Sequence, residues 1–111
     1  MPRDYKVYLD DILEAAARIR DYTLGLNLEG LKNDSKTLDA VVRNLEVIGE
    51  AAKKIPEDVR RRYPDTERKK ISGIRDILIH EYFGIDINII WDIAQNKLPS
   101  LEEQVRNILE K

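Results

Sequence analysis

The chain holds 111 residues, 42% of them hydrophobic and 36% charged, which describes one small folded domain with a modest core and excludes a disordered chain. A formal net charge of −2 excludes a general nucleic-acid coat, so any contact with nucleic acid has to be local. With no cysteines, no secretion signal and no apolar run near the roughly 18 residues of a membrane span, the expectation is a cytoplasmic protein without disulfides or a membrane partner.

The periodicity is helical along the chain. A first helix runs from Asp4 to Leu24, with Leu9, Ile12, Leu13, Ala16, Ile19 and Thr23 on one stripe and Gly25 as its stop. Residues 26–34 read as a loop with room for one helical turn. Asp34 or Ser35 caps a second helix whose stripe is Leu38, Val41, Val42, Leu45, Ile48, Ala52 and Ile55. Gly49 inside it costs about 1 kcal/mol relative to alanine and reads as a close-packing device. Pro56 ends this helix and opens a short one, Glu57 to Tyr63, closed by Pro64. A fourth helix spans about Glu67 to Phe83 and stops at Gly84. Asp86 caps a fifth that passes Trp91 to Asn96. Pro99 breaks or kinks it ahead of a last amphipathic stretch with Leu101, Val105, Ile108 and Leu109. No alternating strand pattern competes. The expected fold is all-α: one domain over residues 1–111, a four- or five-helix up-down bundle.

The fourth helix concentrates the chemistry. Ile71, Ile74, Leu78 and Tyr82 form its core stripe, while Ile77, Ile79 and Phe83 fall on other faces. A helix apolar on several sides is buried on several sides, and a chain this short cannot supply all the cover. The expectation is a homodimer through this helix. Into it are set Arg75, Asp76 and His80, the single histidine of the chain. Asp76 stands one turn before His80 and can orient the imidazole. Arg75 shares a face with Tyr82, seven residues on. On an ideal helix Arg75 and His80 point about 140° apart, so they converge only through the long arginine, a distorted helix end or a second subunit.

These residue types suit RNA cleavage without a metal. That reaction needs a base for the 2′-hydroxyl proton, an acid for the leaving oxygen and a cation for the charge building on phosphorus. Histidine can serve in either proton role, and arginine binds phosphate oxygens with a planar fork. One histidine and no cysteine leave no ligand set for a metal, and no cofactor motif is present. The spacing alone favours a structural role: Asp76 paired with His80, and Arg75 reaching to the surface.

The stretch 71–86, ISGIRDILIHEYFGID, resembles the signature of the HepT toxins of the HEPN superfamily: an arginine and a polar residue, three more residues, a histidine, any residue and a tyrosine. Residues 39–52, DAVVRNLEVIGEAA, and 90–101, IWDIAQNKLPSL, resemble other parts of the same family, in the same order. Asp76 stands where many relatives carry asparagine. The resemblance implies a HEPN domain and a helical homodimer whose motif lines a cleft between subunits. It implies metal-independent endoribonuclease activity at Arg75 and His80, supported by Asp76, within a type II/VII-like toxin–antitoxin pair. It also implies an MntA-type nucleotidyltransferase antitoxin that attaches AMP to Tyr82.

Beside the motif, residues 60–70 read RRRYPDTERKK, with six basic and two acidic side chains. Arg60, Arg61, Arg62, Arg68, Lys69 and Lys70 are the candidates for an RNA backbone track, against the alternative of a solvated helix and loop. Arg43 and Glu46 on the second helix either face the cleft or form a surface pair. Two further functions remain open at this level: a non-catalytic HEPN module that binds nucleotide or RNA and regulates a nucleotidyltransferase, and a plain helical interaction protein.

Overall fold

The computed structural model describes residues 4–56, 58–59 and 86–110. Helix α1 covers Tyr5–Thr23. Asp4 sits before it in extended backbone, and its carboxylate accepts the Lys6 N–H at 3.0 Å, satisfying one of the donors a helix start leaves open. At the far end Leu24 caps the helix and Gly25 follows at φ +81°, a left-handed turn that costs glycine little. The single turn allowed for in the following loop is helix α2, Leu28–Lys32, capped by Asn27, whose side chain accepts the Gly30 N–H at 2.7 Å.

Helix α3 covers Ser35–Lys53. Its cap is Asp34 rather than Ser35: the carboxylate accepts the Thr37 N–H at 3.1 Å and the Thr37 hydroxyl at 2.7 Å. Those two donors stabilise the ionised form and hold the Asp34 carboxyl below the usual aspartate range. The helix closes at Lys53, before Pro56, yet Ile55 still turns into the core. Val59 is buried just beyond. Of the short helix expected over 57–63, residues 58 and 59 are helical and the rest lie outside the described residues.

Asp86 caps helix α4, Ile87–Asp92, accepting the Asn88 N–H at 2.8 Å. Pro99 does not break the chain that follows. Ile93–Lys97 form a π-helical turn that passes directly into helix α5, Leu98–Leu109, with Pro99 in the first turn. The physical reason is local. In an unbroken α-helix the proline ring would meet the carbonyl four residues back, that of Gln95. The wider turn, in which the Leu98 N–H reaches the Ile93 carbonyl, gives the ring room without ending the helix.

Helix α1 is the centre of the bundle. It packs along α3 on one side and against the π turn and α5 on the other. Lys54, at the end of α3, lies 5.6 Å from the ring of Tyr8 near the start of α1, so these helices run antiparallel. On the other side Arg20 meets Glu102 while Thr23 meets Gln95, so α1 and α5 are antiparallel as well. The core is drawn from all layers: Leu9, Ile12 and Ile19 of α1, Leu31 of α2, Val41, Leu45 and Ile48 of α3, Ile90 of α4, and Leu98, Leu101 and Val105 of α5. Each fully buried aliphatic side chain contributes about 1.5–3 kcal/mol of transfer free energy. Because α1 is covered on two sides, Ala15 is buried beside the expected stripe, whereas Leu13 is only half-buried. Every regular element among the described residues is helical, in an up-down bundle. None of these helices is long and apolar enough to cross a membrane.

Candidate functional site

The motif residues Arg75, Asp76, His80 and Tyr82, the basic candidates Arg60, Arg61, Arg62, Arg68, Lys69 and Lys70, and the helix expected over 67–83 lie outside the described residues. What the described residues define is the frame on either side of them. On the N-terminal side the chain leaves α3 at Lys53 and reaches buried Val59, whose N–H bonds to the Pro56 carbonyl at 3.1 Å. On the C-terminal side it re-enters at Asp86. That residue's carboxylate accepts from both the backbone and the side chain of Asn88, and its carbonyl accepts the N–H of Ile89 and of Ile90. Ile90 is buried one turn later. Val59 and Ile90 are thus the nearest described buried residues on either side of 60–85.

Arg43 and Glu46 resolve as a loose pair on α3, 3.9 Å apart, with the arginine side chain 75% exposed. Arg43 stands on the face opposite the buried stripe of Val41, Leu45 and Ile48, while Glu46 is half-buried at its edge. An exposed pair of this kind contributes roughly 0–1 kcal/mol.

Two polar positions in the core were not singled out from the sequence. Asn44 is buried on α3, and its amide donates to the Ala40 carbonyl at 2.9 Å. Glu102 is buried on α5 and accepts from Arg20 through both oxygens, at 2.8 and 2.7 Å, and from Arg106 at 3.2 Å. Its hydrogen bonds and charge raise the Arg20 guanidinium above its ordinary range. The signal was present in register. Asn44 follows Val41 by three residues, and Glu102 follows Leu98 by four, so each stands on an apolar stripe. Both are accounted for by local structure: a back-bond within α3, and a charged tie between α1 and α5. Gly49 is buried on α3, as a packing position should be. Among the described residues no group of three or more His, Cys, Asp or Glu side chains is placed to hold a metal ion.

The profile of the family described as Ribonuclease HepT-like matches residues 12–108, nearly the whole chain. A Thermococcus cleftensis protein named "Probable ribonuclease HepT" is 42% identical over 102 residues, covering 92% of this chain and 93% of its own. Two Methanocaldococcus jannaschii proteins named as candidate RNases are similar too. One is 43% identical over 107 residues, 96% of this chain and 88% of its own. The other is 44% identical over 110 residues, 98% of this chain and 91% of its own. No solved structure matches the chain. The chain belongs to the ribonuclease HepT-like family, a family of RNA-cleaving enzymes.

Proposed function

We propose that this RNA-cleaving enzyme is a metal-independent endoribonuclease, the toxin of a toxin–antitoxin pair, acting at a cleft between the subunits of a homodimer. The observation that carries the reading is the family match over residues 12–108, a range that includes Arg75, His80 and Tyr82, on which the resemblance to the HepT signature rests. In this reading the 2′-hydroxyl attacks the adjacent phosphorus and the 5′-oxygen of the next nucleotide leaves. His80 of one subunit takes the hydroxyl proton, and His80 of the other returns a proton to the leaving oxygen. Arg75 holds the phosphoryl oxygens as negative charge builds on them. Asp76 orients the imidazole, and the basic side chains at 60–62 and 68–70 draw the RNA backbone toward the cleft.

The pair's second member is an MntA-type nucleotidyltransferase antitoxin, and Tyr82 is the residue it modifies. An AMP group there would set a phosphodiester beside Arg75, competing with RNA for the guanidinium, while the adenosine obstructs the cleft. The test of the catalytic assignment is RNA cleavage by the parent, Arg75→Ala and His80→Ala, each first shown to fold by helical circular dichroism. Each substitution is expected to lower the rate by roughly 10²–10⁴-fold, as for one acid–base group or one charge stabiliser. A folded variant that cuts at the parent's rate removes that residue from the mechanism.

A further inference from the structure

We draw no further inference here: the strongest candidate, the exposed apolar side chains Tyr22, Leu24 and Ile89 around the C-terminal end of α1 and the first turn of α4, is an unpartnered apolar face, and nothing in the structure shows what covers it.

Discussion

Single residues in this bundle divide by whether their partners are exposed or buried. Glu102 is buried and shared by two arginines, each about half-exposed, whereas the Arg18–Glu14 pair lies in solvent along one face of α1. Removing Arg20 takes two charge-assisted bonds from a buried carboxylate but leaves it Arg106. Arg20→Ala should therefore cost about 1–3 kcal/mol, at the lower end because the guanidinium is partly in water. Arg18→Ala should cost about 0.5 kcal/mol or less. Denaturant unfolding followed by the single tryptophan, Trp91, which packs against the core, measures both. Equal losses would contradict the distinction. Asp34 adds a pH dependence. Its carboxyl is held low in the folded state, so its contribution to stability is complete above the ordinary aspartate range and fades as pH falls through the depressed folded value. The drop in melting temperature caused by Asp34→Ala should be present near neutral pH and shrink below about pH 4. A drop that stays constant down to pH 2 would show the carboxylate is not the cap. The cap was legible in the sequence as Asp34 or Ser35, short polar side chains just ahead of the apolar stripe. Glu102 was not, because a charged residue on a stripe looks like an interruption until its partner, 82 positions away, is known.

At the scale of elements, helix starts were readable and helix interiors less so. Asp4 and Asp86 sit where short acidic side chains can take the first free N–H groups, and both do so. The π turn was invisible, since Pro99 signals a break and the apolar positions Ile93, Ala94, Leu98 and Leu101 continue on either side of it. If the extra residue in Ile93–Lys97 exists to seat the proline, deleting Asn96 should press Pro99 into an ordinary α-helical register. The deletion should cost about 3 kcal/mol, and Pro99→Ala in the same background should recover most of it. Pro99→Ala alone should change stability little. A deletion that is equally harmful with or without the proline would mean the turn is set by tertiary packing instead.

For the whole molecule, Ile77, Ile79 and Phe83, apolar on faces outside the core stripe of the helix expected over 67–83, led to the expectation of a dimer. Light scattering at micromolar concentration should give about twice the 12.9 kDa chain mass, and Ile79→Asp or Phe83→Asp should shift it toward monomer by burying an unpaired charge. A parent that is monomeric while cutting RNA would undo the shared cleft. The regulatory half of the proposal has its own readout: incubation with ATP and the cognate nucleotidyltransferase should add AMP mass to the parent and not to Tyr82→Phe. Much of the fold could be read from periodicity and caps, because both are local. The site could be read only as residue types at fixed spacing, Arg75, His80 and Tyr82. Their convergence depends on three-dimensional packing, and spacing does not encode that. The most direct measurement is the chemistry of the cut end. The parent protein, incubated with RNA in EDTA, should leave 2′,3′-cyclic phosphate termini, and His80→Ala should leave almost none. Cleavage that stops in EDTA and returns with magnesium, or that leaves 5′-phosphate ends, would contradict the mechanism.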